Sequence, residues 1–135
     1  MTQTAPHHFT CRVYYEDTDL AGIVYYANYL KFIERARSEW VRKLGVDQIK
    51  MKQDGLVFAV RRVEADYLSP ARFDDVLDVQ TSLDEMTGTR IKLTQTVLRD
   101  EAVLFRAAVT LVCLSETGKP SRIPEETRAK LRAHD

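Results

Sequence analysis

The chain has 135 residues, enough for one domain and too few for a second autonomous core. Hydrophobic residues make up 44% and charged residues 30%, an ordinary globular composition and not a disordered or fibrous one. Twenty Lys and Arg balance twenty Asp and Glu, so no basic surplus argues for nucleic-acid or membrane-surface binding.

Residues 1–8 read as a flexible leader with neither the basic nor the apolar region of a secretory signal. Residues 9–135 read as a single domain. From Phe9 to Tyr15 apolar residues alternate with Thr10 and Arg12, the pattern of a half-buried strand. The acidic loop Glu16-Asp17-Thr18-Asp19-Leu20-Ala21-Gly22 follows. Tyr29, Ile33, Ala36, Trp40 and Leu44 then fall on one helical stripe, and charged residues fill the other face. Asn28 is the expected N-cap of this long helix, and Gly45 suits a left-handed C-terminal cap. A short helix over Asp47–Lys52 is expected next.

After Gly55 the period changes to two. Val57, Ala59, Val63, Ala65 and Tyr67 are predicted to share one face, against Arg62, Glu64 and Asp66. Arg61 falls on the apolar side of that pattern, which predicts a place at a subunit interface near the functional site, since a lone inward arginine is costly. Ser69-Pro70-Ala71 ends the strand. Leu77, Val79, Thr81 and Leu83 mark the next strand, Thr87-Gly88-Thr89 the turn, and Ile91, Leu93 and Val97 the strand beyond it. Residues 103–114 are apolar on both faces, as a central strand requires. Pro124 introduces a terminal helix over Glu125–Arg132. Short turns make neighbouring strands antiparallel, and one amphipathic helix must cover the sheet, so the fold class is α+β.

The chemistry is bounded by what is missing. The three histidines, His7, His8 and His134, all lie near the ends, so no Ser-His-Asp or Cys-His arrangement and no histidine-rich metal site is expected. Cys11 and Cys113 sit at apolar strand positions and read as reduced core residues of a cytoplasmic protein. No run approaches the roughly 20 apolar residues of a membrane span. If the protein is a hydrolase, a carboxylate must do the work of the histidine.

The stretch from Tyr15 to Tyr29, YEDTDLAGIVYYANY, resembles the signature of the hotdog-fold acyl-CoA thioesterases of the 4-hydroxybenzoyl-CoA thioesterase family. Glu34-Arg35-Ala36-Arg37 and Ser69-Pro70-Ala71-Arg72-Phe73-Asp74-Asp75 resemble more narrowly its YbgC-type subgroup, encoded with the Tol-Pal envelope system. The resemblance implies a five-stranded antiparallel sheet wrapped around one long central helix. It further implies at least a homodimer with one continuous sheet, expected to assemble to a homotetramer, with active sites at the dimer interface.

By that resemblance Asp19 is the catalytic carboxylate, and the backbone amides near Tyr25 and Tyr26, at the helix start, hold the thioester oxygen. Unpaired donors and a positive dipole end suit a developing oxyanion. Asp17 is the second acidic residue of the motif, expected to hold the loop. Many YbgC-type members carry a histidine where Tyr26 stands, so here Asp19 acts through a water or as the nucleophile itself. Tyr15, Val24 and Tyr25 are expected to contact substrate. The resemblance sets the phosphates of coenzyme A near the turn carrying Thr87, Thr89, Arg90 and Lys92; point cations suit phosphate. No metal or redox cofactor is expected, because coenzyme A enters as part of the substrate. An acyl carrier protein in place of coenzyme A, or a non-catalytic acyl-thioester-binding module attached to the envelope machinery, are the alternatives.

Overall fold

The structure is a computed structural model that describes residues 6–132. Its elements in chain order are β1 (His7–Arg12), a single 3-10 turn (Tyr15–Asp17), α1 (Asn28–Lys43), α2 (Gln48–Gln53), β2 (Leu56–Tyr67), β3 (Val76–Met86), β4 (Arg90–Arg99), β5 (Ala102–Ser115) and α3 (Glu125–Arg132). The strands form one antiparallel sheet in the order β1-β3-β4-β5-β2.

The apolar stripe of α1 faces this sheet. Tyr29, Phe32, Ile33, Ala36, Trp40 and Val41 are buried, meeting Leu77 and Val79 of β3, Ile91, Leu93 and Val97 of β4, and Leu104, Phe105, Ala107 and Val109 of β5. The helix stops as expected at Gly45, whose φ of +85° permits the left-handed turn. The N–H groups of Gly45 and Val46 return to the carbonyls of Arg42 and Val41, at 3.0 and 3.2 Å. Gln95 and Thr81 bring polar groups into the core. Gln95 is buried and donates to the Ile33 carbonyl and the Thr81 hydroxyl, while its own oxygen accepts from Arg37, so no part of it is left unpaired.

Four expectations need correcting. The leader does not extend through residue 8, because His7 and His8 pair with Thr81 and Gln80 in β1; residues 1–5 of it, and His134, lie outside the described residues. Strand β1 stops at Arg12 and not at Tyr15. In β5 the outer face reaches solvent at Arg106 and Ala108, although the strand is internal.

The fourth correction concerns β2. Val60 pairs with Leu111 but Arg62 with Thr110, so Arg61 is the extra residue of a bulge. The bulge shifts the alternation by one. Phe58, Val60, Val63, Ala65 and Tyr67 share the face of buried Cys113, Leu111, Val109, Ala107 and Phe105, whereas Val57 and Ala59 lie on the other side. Arg61 is therefore not an inward side chain. It is exposed at the sheet edge and makes no ion pair among the described residues.

Candidate active site

After β1, Val13 is clamped by main-chain bonds to Asp74 and Asp75, both at 2.9 Å, and the chain turns through the 3-10 segment. Asp17 closes that turn. Its carboxylate is 6% exposed, accepting the Tyr14 N–H at 2.8 Å and the Asn28 side-chain amide at 2.9 Å. Its carbonyl accepts the Tyr25 N–H at 2.9 Å. Asp17 thus ties the 3-10 turn to the start of α1, the holding role expected of it.

Between Thr18 and Val24 the loop folds on itself as a small hairpin. The Asp19 N–H donates to the Ile23 carbonyl at 2.9 Å, and the Gly22 N–H to the Asp19 carbonyl at 3.0 Å. Gly22 has φ of +79°, which a side chain would strain. Asp19 is exposed. Its Oδ1 accepts the Ala21 N–H at 2.9 Å, while Oδ2 has no hydrogen bond among the described residues. One oxygen orients the group and the other stays open. Such a carboxylate can take a proton from water or attack a carbonyl.

The start of α1 differs from expectation. Asn28 is the first helical residue and not the cap: its side chain donates to Asp17 and accepts nothing from the helix. Ala27 is the N-cap and supplies no side-chain acceptor. The first turn is tightened, with the Asn28 N–H on the Tyr25 carbonyl and the Leu30 N–H on the Ala27 carbonyl. Of the two amides singled out from the sequence, that of Tyr25 is taken by Asp17. That of Tyr26 has no partner among the described residues. A main-chain donor with no competing acceptor, at a helix start, is suited to bind a thioester oxygen.

The surrounding side chains divide. Val24 is 3% exposed and belongs to the core, so it is not a substrate contact; its N–H bonds the Ala71 carbonyl at 2.8 Å. Tyr15 is 82% exposed and meets the ring of Phe73 edge-on. Tyr25 and Tyr26 are exposed and adjacent, with ring centroids 5.0 Å apart.

Two supports stand beside the hairpin: one lies in the 69–75 stretch that the resemblance marked without giving it a role, and the other has no mark in the sequence. The segment 70–75 cradles the hairpin, through Ala71 on Val24, a bridge from Arg72 to Ile23, and the Ala71 N–H on the Tyr29 hydroxyl at 3.0 Å. It is fastened by Asp75, which accepts from the Arg72 N–H and from Arg99, both at 2.8 Å. Partial burial pushes the Asp75 carboxyl up, but those two hydrogen bonds and the Arg99 charge leave it below the usual carboxylate range. The second support is Tyr67, whose hydroxyl donates to the Tyr26 carbonyl at 3.0 Å.

The basic turn lies elsewhere. Its carbonyls are all engaged by other parts of the chain: Thr87 by Arg128 at 2.6 Å, Gly88 by the Ile123 N–H at 2.8 Å, and Thr89 by the Cys113 N–H at 2.8 Å. The Thr87 hydroxyl accepts the Arg90 N–H at 3.0 Å. Lys92 pairs with Glu85 at 3.7 Å, whereas Arg90 has no ion pair among the described residues. Tyr67, beside the loop of Asp19, is in register with Phe105 and Val97. Val97 is seven residues along β4 from Arg90, about 23 Å at the usual strand rise. Within one chain, then, Thr87, Thr89, Arg90, Lys92 and Arg61 cluster at the opposite end of the sheet from Asp19. A shallow depression lined by Leu30, Lys31, Glu34 and Arg35 on α1 includes none of these residues.

A helix laid across a five-stranded antiparallel sheet in the order β1-β3-β4-β5-β2 is the fold of the hotdog thioesterases. Residues 13–131 match the thioesterase-like superfamily, and the chain belongs to it. It is 39% identical over 123 residues to the acyl-CoA thioester hydrolase YbgC of Escherichia coli O6:H1, covering 90% of this chain and 92% of that protein. It is 40% identical over 124 residues to the acyl-CoA thioesterase YbgC of Haemophilus influenzae, covering 90% of each. The crystal structure of a probable thioesterase from Bartonella henselae superimposes with a TM-score of 0.83 at 38% identity, covering 89% of this chain and all of that one.

Proposed function

We propose that this protein hydrolyses acyl-CoA thioesters to a free acid and coenzyme A. The observation that carries the reading is the pairing, in one short loop, of the open Oδ2 of Asp19 with the unpartnered N–H of Tyr26. The thioester oxygen accepts from the Tyr26 amide, which stabilises charge as the carbonyl carbon becomes tetrahedral. Asp19 then acts in one of two ways. As a general base it takes a proton from the attacking water. As a nucleophile it forms a mixed anhydride that water cleaves. Either way a thiolate departs, a good leaving group that needs no strong general acid. Neither route calls for a metal or redox cofactor.

The proposed unit is at least a homodimer, assembling to a homotetramer. Edge strand β2 supports this, with exposed Val60, Val63 and Tyr67 beside unpaired main-chain groups. If two β2 strands pair antiparallel with the two-fold at Val63, the partner's residues around Ala59 come beside this chain's Tyr67. Arg90 and Ala59 both pair with Val112, so the partner's basic turn would then lie on the row of this chain's Asp19 loop. Arg90, Arg61 and Thr89 are the proposed contacts to the phosphates of coenzyme A, with Thr87 shaping the turn and Lys92 drawn between phosphate and Glu85. A cytoplasmic site is proposed from the unpaired cysteines, Cys11 and Cys113; burial pushes the Cys11 thiol up to about 11.

Thiol release from acetyl-, butyryl-, decanoyl- and benzoyl-CoA, followed with a thiol-reactive dye, tests the reading. Turnover of at least one is expected. Binding without turnover of any would favour the non-catalytic acyl-binding module, and turnover only of thioesters on an acyl carrier protein would replace coenzyme A as carrier.

A further inference from the structure

The main chain of Tyr26 stands outside the helical ladder. The Asn28 N–H reaches the Tyr25 carbonyl at 2.8 Å and the Leu30 N–H the Ala27 carbonyl at 3.1 Å, so the Tyr26 carbonyl between them is passed over. That acceptor is taken instead by the Tyr67 hydroxyl. The Tyr67 ring is held edge-on by Tyr26, Tyr29 and Phe105, with centroids 6.1, 5.5 and 5.1 Å away. Swinging the hydroxyl elsewhere would break all three contacts.

The consequence follows from peptide geometry. A trans peptide points its C=O and N–H in opposite directions, so holding the Tyr26 carbonyl fixes the plane that carries the Ala27 N–H. The preceding plane, carrying the Tyr26 N–H, is fixed by the Asn28 bond to the Tyr25 carbonyl. The N–H groups of Tyr26 and Ala27 both lack partners among the described residues. A hydrogen bond accepted by a peptide carbonyl also polarises the N–H of the same peptide. We infer that Tyr67 is a positioning residue of the thioesterase site: its hydroxyl, at the end of edge strand β2, sets the direction in which the start of α1 presents the Ala27 N–H, beside the free amide of Tyr26, to the thioester oxygen.

This inference rests on the proposed role of the Tyr26 amide, and the test separates the two. Tyr67→Phe keeps the ring cluster and removes only the hydroxyl. In the intact oligomer, with whichever of the four acyl-CoAs turns over fastest, kcat is expected to fall about tenfold. Complete loss of an oxyanion donor is worth ~10²-fold or more, and here the donor is misdirected and not removed. KM should stay within about twofold, because the interaction belongs to the transition state. Oligomeric state and melting temperature should hold.

A spectroscopic arm uses Asp19→Asn, in which the bound, carbonyl-labelled thioester persists. Its C=O stretch should sit below the free value through hydrogen bonding, and adding Tyr67→Phe should return it part of the way. Unchanged kcat in Tyr67→Phe, or a loss accounted for by unfolded protein, would overturn the inference, as would an unmoved C=O stretch. Full activity in Asp19→Asn would instead refute the proposed site chemistry, leaving the kcat of Tyr67→Phe on the wild-type background to decide for Tyr67.

Discussion

Asp17 and Asp19 are two residues apart and share a motif, but their carboxylates meet different surroundings that suit them to different work. Asp17 is enclosed, with an N–H or amide donor on each oxygen. Asp19 is exposed and half engaged. Asp19→Asn should therefore keep the fold, since Asn Oδ1 can still accept the Ala21 N–H. Thioester turnover should nevertheless fall by ~10²-fold or more, because an amide neither takes a proton from water nor attacks a carbonyl. A folded Asp19→Asn protein with turnover within about threefold of wild type would defeat the mechanism, such a loss being under ~1 kcal/mol of barrier. Asp17→Asn should behave in the opposite way. Its new NH₂ must face either the Tyr14 N–H or the Asn28 amide, placing donor against donor in a buried site. A loss of about 1–3 kcal/mol in unfolding free energy is expected, read by urea titration. Activity per folded molecule should fall far less than in Asp19→Asn. At this scale the motif singled out Asp19, whose carboxylate is exposed with one oxygen open, but it also suggested Val24, which is buried, as a contact. Nothing in a run such as Ile23-Val24-Tyr25 tells which apolar side chain turns into the core, because that depends on the bridge to Thr18 and the bond to Ala71.

Among the elements, the segment 70–75 decides how firmly the hairpin of Asp19 is held, and the Asp75–Arg99 pair decides how firmly that segment is held. Asp75→Asn should lower stability at pH 7 by about 1–2 kcal/mol, the range for losing charge-assisted bonds at a partly exposed site. The pH dependence has a definite sign. The folded-state carboxyl is held below its usual 3.8, so it contributes stability above that value and loses the contribution as pH falls through the lowered one. Unfolding curves of wild type and Asp75→Asn should thus separate at pH 7 and converge as pH falls below 3.8 and through the lowered folded-state value. A constant gap would show that the charge is irrelevant. The helices and strands themselves were legible, since the stripe from Tyr29 to Trp40 and the alternation in β3 and β4 report burial directly. The bulge at Arg61 was not. Alternation carries no record of an inserted residue, and Arg61-Arg62 offers two arginines either of which fits an outward phase, so the faces of Val57 and Ala59 came out reversed. The N-cap was misread for a related reason. Asn28 has the chemistry of a cap, but the neighbouring carboxylate of Asp17 competes for its amide and wins.

For the whole molecule, the question is how groups about 23 Å apart on one sheet serve one substrate. In the proposed dimer each site takes its carboxylate from one chain and its phosphate-binding turn from the other. The edge strand can be tested first. Val63 is 37% exposed on the core-side face of β2, so Val63→Asp should set a charge into the joint and yield monomers in sedimentation, with thioesterase activity lost alongside. A stable, fully active wild-type monomer would refute the assembly and the shared site together. The sharing itself is tested by complementation. Asp19→Asn alone lacks the carboxylate. Arg90→Ala alone should raise KM more than it lowers kcat, because a phosphate contact remote from the thioester serves ground and transition states alike. At substrate concentrations well below KM both variants are weak. If each site draws on both chains, a heterodimer of the two variants holds one site with both defects and one with neither. With random pairing half of the dimers are mixed, so about a quarter of all sites become wild type by the symmetry of the two-fold. If Asp19 and Arg90 act within one chain, every site in the heterodimer keeps one defect, and mixing restores nothing. Co-expression of the two variants under different affinity tags, with purification through both tags and assay at low substrate, separates these outcomes.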